Sequence, residues 1–451
     1  MQATFVHTAD NHLGYEQYGM KERFNDFARA FFAVVDDAIA RKADFFVVSG
    51  DLFNKRSIDA LTLIQAQQAL QRLRDAGIAA IAIEGNHDRS FYRDGVSWLQ
   101  FLGWQKLLYL LNPTVREGVP EIAPWDPVTL RGAYVDLKEG RLRVYGLPWY
   151  GASTARVMES FARELAAARA DEEAAGVEYR VLLMHTGLDG IVPMMHGLPS
   201  YEQFQPLRGL IDYVALGHVH KAYERDGWLY NPGSTETWGA EESAWERGYY
   251  VTQVDTAVAA GAPRHTAQHI ENPRRPFLRF TFSVDGLADP TAFYDRFDQF
   301  AARKAHECRA ELRRADVAPV IDIHLTGILG FDASAYERAR LEEFVRSYFD
   351  PEPLTVRIHD GTRDSDYELD DDDDATDGRD RSTWQQLEVH IFQELLARDT
   401  RFVETAPQWA RIIAELKQMA LGGDEPAAIA ERLRAARAQL MPATPRPSQV
   451  P

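Results

Sequence analysis

Apolar positions along the first part of the chain fall into two alternating patterns. Short, almost continuous apolar runs give way to longer stretches in which apolar side chains recur every three or four positions, as buried strands alternate with amphipathic helices in layered α/β proteins. Residues 3–8, 44–49, 78–83, 142–147, 179–184, 213–216 and 248–254 read as strands. Residues 22–41 read as a helix with Phe24, Phe27, Phe31, Val34, Val35 and Ala38 on one face, and 58–76 as a second, ended by Gly77. An Ala-rich third helix is expected over 154–170.

The pattern breaks at Asn272-Pro273-Arg274-Arg275-Pro276, where two prolines flank basic residues, so a domain is expected over 1–272. A second unit, 277–360, carries strands near 278–284, 320–325 and 354–358 with helices near 291–304 and 334–347, a small α+β arrangement. Residues 361–382 read as an acidic linker. Helices are expected across 383–440, with Trp384, Leu387, Ile391 and Leu395, then Trp409, Ile412, Ile413 and Leu416, as apolar stripes. These helices could form a hairpin or offer a face to a partner helix. The proline-rich end, 441–451, reads as a disordered tail.

Composition narrows the chemistry. The chain of 451 residues has 45% hydrophobic and 26% charged residues, enough apolar surface for more than one globular core. Its one cysteine, Cys308, excludes an internal disulfide and a thiolate metal cluster built from this chain alone, so any metal site must use His, Asp, Glu or Asn. The net charge is −18, but ten acidic residues against one arginine between Asp364 and Asp380 hold half of it, which leaves room for a local basic path. Nothing in the N-terminal residues resembles a signal segment and no apolar run reaches bilayer length, so a cytoplasmic protein with no membrane partner is expected.

Five polar segments follow expected strands: Asp10-Asn11-His12, Gly50-Asp51, Gly85-Asn86-His87-Asp88, His185 and Gly217-His218-Val219-His220. Side chains at the carboxyl ends of parallel strands converge on one crevice. Their oxygen and nitrogen donors suit manganese, iron or zinc better than calcium. Two ions about 3.5–4 Å apart need a bridging oxygen ligand, for which Asp51 is the candidate. A His-x-His pair, turning beside Gly217, can send one imidazole to each ion. Any one of these segments alone would be an ordinary polar loop; their ordered combination points to a binuclear site.

The runs around these residues extend the pattern. His7-Thr8-Ala9-Asp10-Asn11-His12-Leu13-Gly14-Tyr15-Glu16-Gln17, Gly50-Asp51-Leu52-Phe53, Ala82-Ile83-Glu84-Gly85-Asn86-His87-Asp88-Arg89, Ala215-Leu216-Gly217-His218-Val219-His220-Lys221 and Pro232-Gly233-Ser234 resemble the calcineurin-like metallophosphoesterases. Within them, the chain resembles the meiotic-recombination-eleven family of DNA repair nucleases, whose bacterial relative is SbcD, and its archaeal members above all. The resemblance implies a layered α/β/β/α domain, a small α+β capping domain that positions DNA, and C-terminal helices. It implies two Mn²⁺ per subunit, one held by Asp10, His12, Asp51 and His220, the other by Asp51, Asn86, His185 and His218. His87 would stay off the metals and assist the transition state and leaving oxygen, with Asp88 either orienting it or merely tying the loop. The implied substrates are DNA ends and single-stranded DNA, cut by exonuclease and endonuclease action in double-strand-break repair. The implied partners are an SMC-like coiled-coil ATPase of the SbcC type and a second copy of the chain.

One position departs from the family: Asn54 stands where a His commonly follows Gly-Asp-Leu-Phe. Asn can hydrogen-bond a phosphate but cannot shuttle a proton, which bears on the balance of exonuclease and endonuclease cutting unless the position is a neutral polar substitute. Two other functions remain open on these residues: a phosphodiesterase for small nucleotides or other phosphoesters, and a DNA-end scaffold with weak catalysis.

Overall fold

The computed structural model describes residues 1–90, 95–193, 195–259, 261–315, 317–364, 389, 392–393, 396, 402, 405–421 and 426–440. The chain divides into two compact units, Met1–Asp366 and Tyr367–Pro451.

Two six-stranded sheets dominate the first unit. In one, Gln2–Thr8 runs parallel to Phe45–Val48, which continues through Ala79–Ala82 to Tyr109–Leu110. On its other side Gly248–Asp255 and then His265–Glu271 add antiparallel. In the other, Leu142–Leu147, Tyr179–Met184, Tyr213–Leu216 and Leu229–Asn231 are parallel neighbours, with antiparallel edges at Tyr134–Leu137 and Tyr223–Arg225. Every expected strand is present.

Period-2 alternation sends one face of each strand between the sheets and the other toward helices. Phe5, Phe45, Val47 and Ile81 thus meet Val144, Val181, Leu183, Tyr213 and Ala215 in an inner core. Val6, Phe46 and Val48 pack outward on Phe31, Val34, Val35 and Leu70 of helices Lys21–Ala40 and Ala60–Asp75. Tyr145, Leu182 and Val214 pack outward on Val157, Met158, Phe161 and Leu165 of helix Thr154–Ala174. The result is the α/β/β/α layering. Asp59 caps the second helix by accepting from Thr62 N at 2.7 Å, and Gly77, at φ 75°, turns the chain out of it.

The Pro-flanked boundary is a pinned strap. Arg275 makes a buried ion pair with Asp26 at 2.6 Å, and Asn272 donates to the carbonyls of Ala30 and Thr235 at 3.1 and 3.0 Å. Beyond it Phe277–Ser283, Val320–Leu329 and Thr355–Asp364 form a three-stranded sheet, all parallel, covered on one face by helices Pro290–Ala315 and Arg338–Tyr348. The first of these helices outruns its expected end because Cys308 and Leu312 continue the apolar stripe. The second begins late because Asp332, bonded to Ser334 N at 2.7 Å, first closes a 3₁₀ turn over Ala333–Ala335.

In the second unit, helices Ala406–Leu421 and Pro426–Leu440 pack on one another around Trp409, Ile412 and Ala436, with an Arg432–Glu415 ion pair. The stripe expected at Trp384, Leu387, Ile391 and Leu395, nearly all of the acidic linker, and the 441–451 tail lie outside the described residues. Among the described residues, no helix is long and apolar enough to cross a membrane.

Candidate metal centre

The strand-tip loops are zipped to one another through their backbones. Asp10 N donates to Gly50 O at 3.1 Å, His12 N to Asp51 O at 3.1 Å and Leu13 N to Leu52 O at 2.9 Å, so the first two motifs run side by side. Turning back so sharply puts Asp10, His12, Asp51 and His218 at φ 51°, 48°, 52° and 78°. Left-handed backbone is costly for side chains larger than glycine, and its recurrence at four candidate ligands marks a place where surrounding contacts over-determine the geometry. Glycines make the close approach possible. A Cβ on Gly85 would lie 2.1 Å from Asp51 Oδ1, one on Gly50 2.3 Å from His185 Nδ1, and one on Gly217 2.3 Å from Ser49 O.

The seven expected ligands converge. Donor atoms of Asp10, His12 and His220 lie within 4.8 Å of one another, and so do those of Asp51, His185 and His218. Asn86 Oδ1 sits 3.1 Å from His185 Nε2 and 3.0 Å from His218 Nδ1, beside the second group. The two groups touch through His12, which also shares a cluster with Asp51 and His87. His12 Nε2 faces His220 Nε2 at 3.0 Å, and the buried Nδ1 of His12 has no hydrogen-bond partner. Two imidazole nitrogens aimed at each other, with carboxylates beside them, are what a cation-binding site presents; the residues present fit divalent ions.

Several partners fix the rings. Ser49 O accepts from His185 Nδ1 at 2.8 Å, leaving Nε2 to face Asp51 Oδ2 at 3.2 Å. Glu242 Oε1 lies 2.8 Å from His220 Nδ1, and its other oxygen takes the Arg247 guanidinium at 3.0 Å. A carboxylate behind a histidine sets its tautomer and leaves Nε2 as the free donor. Behind this, the Pro-Gly-Ser motif packs closely: Gly233, at φ 74°, has room for no Cβ beside His220 O, and Ser234 N donates to that oxygen at 3.2 Å.

Burial and mutual charge polarise the site before any cation adds its own field. Burial pushes the Asp10 carboxyl up to about 7 against the pull of His185 and His220. Burial also acts to raise Asp51, but His185, its hydrogen bond, His12 and His87 outweigh it and hold this carboxyl well below the carboxylate range. Burial alone would lower His185; Asp51 overcomes it and lifts this imidazole to about 9. Burial, with His185 beside it, drops His218 to about 3.

The expected catalytic residues fare differently. His87 is half-buried; its Nδ1 donates to the backbone carbonyl of Asn54 at 2.7 Å, and its backbone N–H donates to Asp51 Oδ1 at 2.9 Å. Asp88 lies elsewhere: its buried carboxylate accepts from Gly85 N at 3.0 Å, Phe53 N at 3.0 Å and Leu52 N at 3.3 Å. Of the two expectations for it, the geometry matches the loop tie, since its oxygens are occupied by backbone N–H groups and Asn54 takes the orienting place at His87. Asn54 contributes its carbonyl to His87 and its side chain to Trp238, whose Nε1 donates to Asn54 Oδ1 at 3.0 Å. Sequence reasoning missed Glu242, Arg247 and Trp238. Trp238 stacks on Tyr15 at 5.4 Å and lies 5.5 Å from the His220 ring. No spacing signal linked them to the motifs; only their clustering just past Pro232-Gly233-Ser234 could have drawn notice.

Fold and site together define a class, and residues 3–222 match the calcineurin-like phosphoesterase family. That part of the chain is a calcineurin-like phosphoesterase domain. Among curated proteins, the chain is similar to the DNA double-strand break repair protein Mre11 of Archaeoglobus fulgidus, 30% identical over 53% of this chain and 52% of that one. It is also similar to the proteins of the same name from Aeropyrum pernix, 32% identical over 48% of each chain, and Haloferax volcanii, 45% identical over 21% of each. The resemblance read from the motifs is thus to Mre11 proteins, and the chain matches about half the length of the first two of these relatives or less of the third.

Proposed function

We propose that this chain is a manganese-dependent nuclease of DNA double-strand-break repair, cutting duplex ends as an exonuclease and single strands as an endonuclease. The observation that carries the reading is the convergence of Asp10, His12 and His220 in one ligand group and Asp51, His185 and His218 in another, with Asn86 beside the second. In this reading Asp10, His12, Asp51 and His220 would hold one Mn²⁺, and Asp51, Asn86, His185 and His218 the other, with Asp51 shared between them. Two such ions would supply Lewis-acid stabilisation of phosphoryl charge and an activated water.

The remaining work belongs to the side chains. His87, its Nδ1–H held by the Asn54 carbonyl, presents Nε2 for proton exchange with the leaving oxygen. Glu242 and Ser49 O keep His220 and His185 in single ring orientations, so the ligand cage need not reorganise as charge develops. No covalent enzyme intermediate is required. The exposed apolar pair Leu61 and Ile64 on the second helix supports a homodimer, and the helical second unit supports docking of an SMC-like coiled-coil ATPase of the SbcC type.

The test is hydrolysis of linear duplex and single-stranded DNA by the full chain in Mn²⁺, alone and with an SbcC-type ATPase and ATP, against cyclic nucleotides. Cleavage of DNA ends is expected. Turnover of cyclic nucleotides with none of DNA under all these conditions would replace the nuclease by a small-nucleotide phosphodiesterase.

A further inference from the structure

The face of the three-stranded sheet opposite its helices carries a second cluster of ionisable side chains, distinct from the metal centre. Alternation along the strands puts Arg279, Asp322, His324, Arg357 and His359 on this face, opposite Leu278, Ile321, Ile323, Val356 and Ile358, which pack under the helices. Asp322 is completely buried at its centre. Its two oxygens lie 2.7 Å from His324 Nε2 and 2.8 Å from His359 Nε2, and the two imidazole rings stack at 4.6 Å. The guanidiniums of Arg279 and Arg357 stand 3.8 and 3.9 Å from the same carboxylate.

This cluster has more donors than acceptors. One carboxylate faces two guanidiniums, so the group is net positive even with both imidazoles neutral. Arg279 Nη2 is 3.2 Å from His324 Nε2, a nitrogen that cannot both donate to Asp322 and accept from Arg279. Arg357 reaches Asp322 only beyond hydrogen-bond length, and its guanidinium lies over the Tyr18 ring at 4.1 Å. All four basic side chains are partly exposed. Such a surplus of planar, fork-shaped donors suits phosphate oxygens, whereas a divalent cation there would meet two fixed positive charges.

The cluster is joined to the metal centre through one loop. Tyr18 follows His12 on that loop, holds a left-handed φ of 62°, and packs on Arg357 and, at 6.5 Å, on Phe277. Between them Tyr15 stacks on Trp238, and Gln17 donates to Trp238 O at 2.7 Å. We propose that Arg279, His324, Arg357 and His359, organised around Asp322, form a phosphate-binding platform for the backbone of the nucleic-acid strand that reaches the metal centre. This rests on the nuclease reading for the identity of the strand.

The experiment measures binding of a labelled duplex to the full chain across roughly 50–200 mM salt, together with cleavage of that duplex and of bis(p-nitrophenyl) phosphate. R279Q/R357Q is expected to weaken binding at least about tenfold and to reduce the salt slope by about two. The ratio of DNA to small-diester cleavage should fall with it. R116Q/R346Q, which removes the same charge elsewhere, is the control and should move the slope far less. If the double variant loses its cooperative thermal melt, R279Q alone carries the test with a slope change of about one.

An unchanged slope in R279Q/R357Q, with the wild type cutting DNA, would overturn the platform and leave the nuclease standing. A wild type that cuts no DNA, but whose duplex binding still falls in the variant, would overturn the nuclease and keep the platform. A Zn²⁺ equivalent bound by wild type and lost in H324Q/H359Q, with duplex binding unaffected, would make the cluster a cation site and also overturn the platform.

Discussion

The indole N–H of Trp238 donates to the side-chain oxygen of Asn54 at 3.0 Å, while the carbonyl of the same Asn54 accepts from the His87 ring at 2.7 Å. Asn54, the position expected to depart from the resembled family's pattern, is therefore tied on both sides, to the expected catalytic histidine through its backbone and to an aromatic wall through its side chain.

Asn54→Leu should leave the Trp238 N–H without its acceptor and destabilise the protein by about 1–3 kcal/mol. Asn54→His should change the exonuclease rate little on its own, because the new ring must share its space with Trp238. A large rise in kcat for N54H would show that proton handling at this position limits the reaction.

His87→Gln should lower DNA cleavage by roughly 10²–10⁴-fold, the usual contribution of a proton-transfer group. Calorimetric Mn²⁺ titration should still find the wild-type stoichiometry. Loss of one equivalent would instead make His87 a ligand, which its place in a cluster with His12 and Asp51 would then explain.

Gly85→Ala places a methyl 2.1 Å from Asp51 Oδ1 and 2.5 Å from Asp51 N, where backbone cannot yield cheaply. Mn²⁺ affinity and cleavage should both fall at least about tenfold, in the range seen when a ligand's supports are disturbed, with far-ultraviolet dichroism unchanged. Wild-type affinity in this variant would mean that Asp51 is not a ligand.

Glu242→Gln removes the charge behind His220 but keeps an oxygen. About 10–100-fold weaker metal binding is expected, and excess Mn²⁺ should restore much of the activity. Failure of excess metal to do so would point to a folding role shared with the buried Arg247.

Acid should unfold the protein partly through His7 and His265, whose imidazoles burial lowers to about 3 and about 4 from an ordinary 6.5. In the unfolded chain both take up a proton below pH 6.5; in the folded protein neither does until far lower. Their contribution to stability is therefore complete above pH 6.5 and declines as pH falls toward 4, by up to about 3 kcal/mol for each on the scale of one pKa unit per 1.4 kcal/mol. His265→Gln should flatten the dependence of melting temperature on pH between 6.5 and 4; the same slope as wild type would assign the loss to other groups.

The periodicity of apolar residues was enough to find the strands that build the centre of both sheets, because a buried strand writes its burial into adjacent positions. It was poorer at the edges. The short edge strands Tyr134–Leu137 and Tyr223–Arg225, and Leu229–Asn231 just inside the latter, owe their conformation to a neighbour already in place, and too few residues carry the pattern. The candidate ligands were legible because each follows a strand tip within a residue or a few.

By itself, the sequence determined which residues could ligate a metal and that they stand at strand ends, both of which are local properties of the chain. Tertiary structure alone decided who faces whom. His12 and His220 meet across a separation of 208 positions, Trp238 reaches Asn54 across 184, and Asp322 takes His359 from the neighbouring parallel strand. Such pairings depend on sheet register and on loops zipped by their backbones, and a one-residue slip in either would send the same side chains to opposite faces.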